Sequence, residues 1–187
     1  RCLCGLEKKA SGAITIKGKT YLRKNRLNQC YMVMQNPSHQ LFTEDVLDEV
    51  LLSMDGDEEE NRPIAEKILS DLNLTQFSER HPMSLSGGQQ QRVAIASAVA
   101  SGREIMVFDE PTSGLDFRHM EEVAKLLREL QKTGKTLFII THDPELLERC
   151  CDYFIFIENG EVKWHGGWSS QNEQQLEIFF GTQSKRR

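Results

Sequence analysis

Leu85-Ser86-Gly87-Gly88-Gln89-Gln90-Gln91-Arg92 runs without a break into Val93-Ala94-Ile95-Ala96. Two glycines stand behind a serine, and the stretch that follows reads as a helix. Ser86 is a good N-cap, and the glycines let the first turn approach another group closely. A helix start turns free backbone N–H groups and the positive end of the dipole outward. That combination suits an anion, most naturally a phosphate. The first turn carries no acid of its own, so a bound ligand is one source of the negative charge. An ordinary capped core helix fits Ser-Gly-Gly alone equally well.

Downstream, Ile105-Met106-Val107-Phe108 is a short apolar run followed at once by Asp109-Glu110-Pro111. Four apolar residues in a row fit a strand buried on both faces, as in a parallel sheet. Two acids at the carboxyl end of such a strand are costly unless a site uses them, and open α/β sheets bind ligands at that edge. Leu137-Phe138-Ile139-Ile140 is a second run of this kind, with Thr141-His142-Asp143 at its end. Two parallel strands in one sheet would bring Asp109, Glu110 and His142 to the same edge. Met120 to Leu130, with Val123, Leu126, Leu127 and Leu130 on its inner face, is the amphipathic helix between them, ended by Gly134.

The octapeptide at 85–92 resembles the signature motif of ATP-binding cassette (ABC) ATPases, and the other motifs occur in that family's order. Asp109-Glu110 resembles a Walker B motif with its catalytic glutamate. Thr112-Ser113-Gly114-Leu115-Asp116 resembles the D-loop, and His142 the switch histidine. Gln35, at the end of the apolar strand Cys30-Tyr31-Met32-Val33-Met34, matches the Q-loop glutamine. The run from Gln35-Asn36-Pro37-Ser38-His39-Gln40-Leu41-Phe42 into Thr43–Val50 is similar to energy-coupling-factor and cobalt-type importers in particular.

The resemblance implies an α/β fold: a P-loop-NTPase-like core with a mostly parallel sheet and an inserted helical subdomain. Residues 1–42 would be the remnant of the N-terminal core and β-subdomain. Residues 43–98 would form the helical signalling subdomain, 99–168 the ATPase core and 169–187 a C-terminal tail. It implies an ATP-hydrolysing subunit of an importer for a micronutrient such as a vitamin or metal ion, with ATP and Mg²⁺ as ligands. Two such domains would meet head to tail, with membrane-embedded transporter subunits as further partners, on the cytoplasmic face of the cell membrane. Glu110, His142 and Gln35 would be catalytic. Ser86, Gly87, Gly88, Gln89 and Asp116 would face nucleotide, and Asp109 and Gln35 would hold Mg²⁺, mostly through water. A soluble ABC ATPase acting on ribosomes or DNA, and a non-catalytic partner-binding fragment, are the alternative readings.

The family's P-loop is expected to precede Arg1, with the chain beginning in mid-element. Arg1 to Lys9 reads as the end of a helix. Gly12-Ala13-Ile14-Thr15-Ile16-Lys17-Gly18-Lys19-Thr20 nearly matches Gly-x4-Gly-Lys-Ser/Thr, but has five intervening residues. Its alternating Ala13–Ile16 is itself a strand, and Lys17-Gly18-Lys19 is the turn. Thr43 reads as a helix cap, Asp55 to Glu60 as an acidic turn, and Pro63 to Leu72 as a helix buried through Ile64, Ile68, Leu69 and Leu72. Thr75 to Arg80 reads as a short helix. Tyr153–Ile157 and Val162–Trp164 read as a hairpin closed by Asn159-Gly160. Leu176, Ile178, Phe179 and Phe180 mark a final helix before Lys185-Arg186-Arg187.

Composition narrows the classes. At 187 residues and 39% apolar, the chain can bury a good core. A net charge of −5 argues against a general nucleic-acid binder, so no nucleic-acid partner is expected. No apolar run reaches the ~18 residues that span a bilayer. No signal peptide stands at the front, which fits a cytosolic location. Five cysteines, Cys2, Cys4, Cys30, Cys150 and Cys151, are an odd set without zinc-site spacing and read as free, mostly buried thiols.

Overall fold

The central strand of the protein is β4 (Ile105–Asp109), flanked on either side by parallel strands β3 (Cys30–Val33) and β5 (Thr136–Ile140). This computed structural model describes residues 1–184, with side chains through Gly181; Lys185-Arg186-Arg187 lie outside the described residues. Register pairs Cys30 with Ile105 and Asp109 with Ile140. Parallel neighbours need long crossovers. The helices α2 (Val46–Leu51), α3 (Glu58–Asp71) and α4 (Gly87–Ala100) lie between β3 and β4. Helix α5 (Phe117–Lys132) lies between β4 and β5.

Two compact units make up the chain, Arg1–Ile140 and Thr141–Arg187. In the first, hairpin β1 (Ile14–Ile16) and β2 (Lys19–Tyr21) turns at Lys17-Gly18, both with positive φ, as the sequence predicts. The four-residue helix α1 (Arg23–Arg26) follows, with Arg26 buried and donating to the carbonyls of Cys2, Tyr21 and Gly12. The second unit holds α6 (Pro144–Cys150), β6 (Tyr153–Glu158), β7 (Glu161–Gly167) and α7 (Ser170–Ser184). Its hairpin turns at Asn159-Gly160, again with positive φ at both residues. Phe156 stacks on Trp164 and meets Phe179 of α7 edge-on, while Trp168 packs edge-on against Phe154, so both tryptophans serve packing.

Helix α4 holds the longest unbroken run of buried residues among the described elements. Every residue from Gln91 to Ala98 is buried, and the small side chains of Ala94, Ala96, Ser97 and Ala98 let α2, α3 and β3 pack close to it. Ile95 and Val93 are fully enclosed, each contributing roughly 1.5–3 kcal/mol relative to exposure. The loop that enters α2 is tied from inside. Oε2 of buried Glu49 accepts from the N–H groups of Phe42 and Thr43, at 2.7 and 3.0 Å, and from the Thr43 hydroxyl at 2.9 Å. Met34 N–H donates to Gln40 Oε1 at 2.7 Å and closes the turn from Gln35 to Gln40.

Several local expectations are corrected. Residues 1–9 form turns, not a helix. Gly5 has a φ of +76°, and a side chain there would strike the Arg23 carbonyl, so the segment is shaped by docking on α1. Asp45, not Thr43, caps α2, its carboxylate accepting from Asp48 N–H at 2.8 Å; Thr43 instead bonds Asp45 O and Glu49. The acidic turn is shorter than expected, because Glu58, Glu59 and Glu60 form the first turn of α3 behind the cap Asp57. Acids favour that end of the dipole. The buried face of α3 runs through Ala65 and Leu69, leaving Ile64 exposed. Thr75–Phe77 is a 3-10 turn rather than a longer helix. On α5, Met120, Val123, Ala124 and Leu127 are buried, whereas Leu126 and Leu130 are half-buried. Strand β5 is an edge strand, with Ile140 50% exposed, rather than a doubly covered one. Of the cysteines, Cys4, Cys30 and Cys150 are buried, Cys151 is half-buried and Cys2 is exposed; all five are free thiols.

Candidate functional site

Strand β4 ends in a tight change of direction. Ile105 to Phe108 are all buried, and Asp109 and Glu110 are the first residues to reach partial exposure. Glu110 has a φ of +51°, left-handed backbone that a residue with a Cβ adopts at a cost of about 1–2 kcal/mol. Its N–H donates to the Ile140 carbonyl at 2.8 Å, and its carbonyl accepts from Ser113 N–H at 3.1 Å. These bonds fix the turn that follows β4. Strain of this kind gathers at functional positions.

A cleft of about 800 Å³ opens at the N-terminus of α4. Gln35, Ser86, Gly87, Gly88, Gln89 and Asp116 all line it. Ser86 and Gln89 form a reciprocal capping box: Gln89 N–H donates to Ser86 Oγ at 3.4 Å, and Ser86 N–H to Gln89 Oε1 at 2.9 Å. That leaves the N–H groups of Gly87 and Gly88, which have no intrahelical carbonyl to bond. The space where a Gly87 side chain would stand is open. Gln91 also lines the cleft; it is 1% exposed, and its Nε2 has no hydrogen-bond partner. Unpaired donors at a glycine helix start with open space before them fit an oxyanion such as a phosphate.

The opposite wall is the loop before α5. A Cβ built on Gly88 would lie 3.0 Å from Leu115 Cδ2 and 3.6 Å from the Gly114 carbonyl. Asp116 caps α5, accepting from His119 N–H at 2.9 Å. Both its carboxylate oxygens also lie at the His119 ring, 2.8 and 2.9 Å from Nδ1. Hydrogen bonds from the His119 backbone and then its ring hold the Asp116 carboxyl below the usual range, so it is ionised. Burial lowers the proton affinity of Arg92, 5% exposed on α4, against the opposing charges of Glu122 and then Asp116. Its Nε has no hydrogen-bond partner.

The structure thus gathers six of the sequence-predicted site residues around one cleft. Asp109 and Glu110, at the end of β4, do not line it, but the Glu110 carbonyl accepts from the N–H of Ser113, which does. His142 belongs to the second unit, one residue before the α6 cap Asp143. Arg92, Arg118 and His119 also line the cleft, without a role assigned to them by any of the sequence motifs. A histidine three residues after an aspartate cap was the available signal, because that spacing brings the two side chains to one helix end. Among the described residues, no three His, Cys, Asp or Glu side chains converge as a metal cage. Mg²⁺ commonly takes one or two carboxylates plus substrate phosphates, so Asp109 at the strand end fits a metal shared with a nucleotide.

The profile of the family described as "ABC transporter" matches residues 1–113. A Treponema denticola protein named for ABC transporter ATP binding is 41% identical over 181 residues, 96% of this chain and 36% of its own length. The energy-coupling factor transporter ATP-binding protein EcfA1 of Fusobacterium nucleatum is 36% identical over 175 residues, 89% of this chain and 65% of that protein. The chain therefore spans about a third of the first relative and less than two thirds of the second. Among solved structures, the ATP-binding cassette MJ0796, a dimer in a post-hydrolysis state bound to ADP and Pi, superposes with a TM-score of 0.76 at 28% identity. The overlap covers 89% of this chain and 77% of that one. The α/β architecture around a parallel sheet is that of the ABC ATPases.

Proposed function

Because the chain belongs to the ABC transporter family, whose profile it matches over residues 1–113, we propose that it supplies one half of a shared ATP-hydrolysing site. Glu110 carries the reading: a carboxylate directly after Asp109, on strained backbone at the end of a buried strand. In this reading Glu110 would accept the proton of the attacking water, and Asp109 would hold Mg²⁺ through water. The metal, when bound, supplies charge neutralisation on the phosphates. His142 and Gln35 orient water and phosphate. Little covalent chemistry falls to the protein in phosphoryl transfer, so positioning and charge stabilisation carry most of the rate.

Ser86, Gly87 and Gly88 line a cleft that Asp109 and Glu110 do not line, which supports a division of labour between two copies. The Gly87 and Gly88 N–H groups of one copy would meet the γ-phosphate of an ATP held by the other, with Gln89 adjacent and Asp116 at the seam. The dimeric, ADP- and Pi-bound state of MJ0796 supports this arrangement. We assign the intact protein to an importer of the energy-coupling-factor or cobalt type, taking up a micronutrient such as a vitamin or metal ion. The likeness to EcfA1 and the Gln40-Leu41-Phe42 segment support that assignment. Phe42, 76% exposed beside the Glu49 tie, suits contact with a membrane-embedded subunit at the cytoplasmic face. No helix of the described residues is long and apolar enough to cross a membrane itself.

The test is ATP turnover and ATP-dependent dimerisation of the intact protein with Glu110→Gln, beside wild type. Glutamine keeps the shape but cannot take the proton, and general-base assistance is worth ~10²–10⁴ in rate. Turnover is expected to collapse while ATP still binds and a dimer accumulates. Near-normal turnover would leave Glu110 as a turn acid and remove this reading.

A further inference from the structure

The geometry points to His119 as a positioning residue that sets the orientation of the Asp116 carboxylate in the shared site. This inference rests on the reading of the Ser86–Gly88 cleft as half of an ATP site. An N-cap needs only one oxygen of its side chain. Asp116 has that bond, from His119 N–H to Oδ1 at 2.9 Å, and the His119 ring then takes both oxygens at 2.8 and 2.9 Å. An ionised carboxylate only accepts, so the nitrogen that faces it carries the hydrogen as Nδ1–H. With both oxygens engaged, rotation about the Asp116 side chain is closed off.

A competing partner lines the same cleft. Arg92, on α4, lines that cleft with Asp116, is buried, and has an Nε that lacks a hydrogen-bond partner. An Asp116 carboxylate released from His119 would swing toward that charge. Such a swing would drag the loop that carries Gly114 and Leu115, which already touches the position of Gly88. His119 therefore holds the loop in register with the first turn of α4, and does so from a half-buried position on the cleft wall. Charge-assisted hydrogen bonds of this kind are short and strong enough to fix one geometry among several.

The experiment uses the full-length protein and compares wild type, His119→Ala and His119→Gln by ATP turnover, thermal melting and nitrogen-15 NMR of labelled histidine. His119→Ala is expected to lower kcat about tenfold, the worth of one hydrogen bond to a charged group, with little change in the KM for ATP. Glutamine offers an N–H donor of similar reach, and His119→Gln should regain most of the lost kcat. The Cap bond from the backbone survives in both variants, so their melting temperatures should stay near that of wild type. In the NMR spectrum, His119 should show a protonated Nδ1 whose shift moves in Asp116→Asn. Wild-type kcat in His119→Ala, an equal loss in His119→Gln, or an Nδ1 resonance indifferent to Asp116→Asn would overturn the assignment. A wild-type protein with no ATP turnover would instead overturn the ATPase reading, while the NMR arm would still decide the clamp.

Discussion

Gly88 and Leu115 face each other across the narrow end of the cleft, with a Cβ on Gly88 falling 3.0 Å from Leu115 Cδ2. Gly87, one residue earlier, has nothing within 4 Å of the same position. Two adjacent glycines in one helix turn thus have different reasons to lack a side chain. Gly88 is needed by a neighbour in its own subunit, whereas Gly87 is answerable only to what enters the cleft.

Alanine at these two positions separates folding from ligand contact. Gly87→Ala should leave the melting temperature unchanged or raise stability by ~0.4–1 kcal/mol, because alanine narrows the unfolded ensemble at a helical position. In the intact protein it should nonetheless reduce ATP turnover, since the methyl group occupies the open space before the unpaired N–H groups. Gly88→Ala should reduce turnover and also cost stability, on the order of 1 kcal/mol, as Leu115 gives way. Thermal melts beside turnover assays decide the matter. A destabilised Gly87→Ala would mean that the first turn is packed more tightly than the cleft implies.

Glu110 invites a complementary test. Its φ of +51° suits glycine and penalises β-branched side chains. Glu110→Gly should abolish turnover without loss of stability, the relief of about 1 kcal/mol of backbone strain offsetting the greater freedom of the unfolded chain. Glu110→Val should lose turnover and, in addition, unfold more easily by more than about 1 kcal/mol. Equal melting temperatures for the two variants would show that the turn relaxes into another conformation.

Glu49 is expected to be costly to remove. Three donors, the N–H groups of Phe42 and Thr43 and the Thr43 hydroxyl, converge on one oxygen of a side chain that is 3% exposed. Glu49→Ala strands them and should cost ~2–4 kcal/mol by chemical denaturation. Glu49→Gln, which retains an acceptor oxygen, should cost less than half as much. An alanine variant as stable as wild type would mean that the loop finds water in place of the carboxylate.

The thiols should react in order of their surroundings. Burial, and then the neighbouring Cys4, push the Cys30 thiol up to about 11, and burial raises Cys4 as well. The thiolate is the reactive form, so at pH 8 only about one Cys30 in a thousand is poised to react. Exposed Cys2 should alkylate first and Cys30 last. A thiol raised in the folded state contributes stability that is present below its unfolded value and lost as pH climbs. For Cys30 that loss runs from about 9 toward about 11. Peptide mass mapping after timed iodoacetamide labelling reads the order directly, and early modification of Cys30 would contradict it.

The parts legible from residues alone were those fixed by local chemistry. The Ser86 cap, the apolar run Ile105–Phe108 and the Lys17-Gly18 and Asn159-Gly160 turns each carry their signal within a few residues. The parts that were not legible depend on partners distant in sequence. Arg1–Lys9 has helical composition, but its shape follows from Arg23 and Arg26, which bond the Gly5 and Cys2 carbonyls. Thr43 has the chemistry of a cap, yet Glu49 draws its hydroxyl away and leaves the role to Asp45. His119 is one more polar residue on an amphipathic helix until Asp116 caps α5, and that cap is what places the two side chains together.

Helix α4 spans 14 residues, about 21 Å at 1.5 Å per residue, with eight consecutive positions walled in on every side. A rod gripped along most of its length can neither flex nor slide by itself. Whatever pushes on Gly87 must carry α2 and α3 along, so an event at the cleft becomes a displacement of the whole helical packet. The buried stretch then works as a lever arm rather than as padding. Amide exchange at Ala94 to Ala98 should stay slow and unaltered when nucleotide is added to the intact protein, while the exposed Ser113-Gly114 backbone responds. Faster exchange in mid-helix would show that the rod yields before the packet moves.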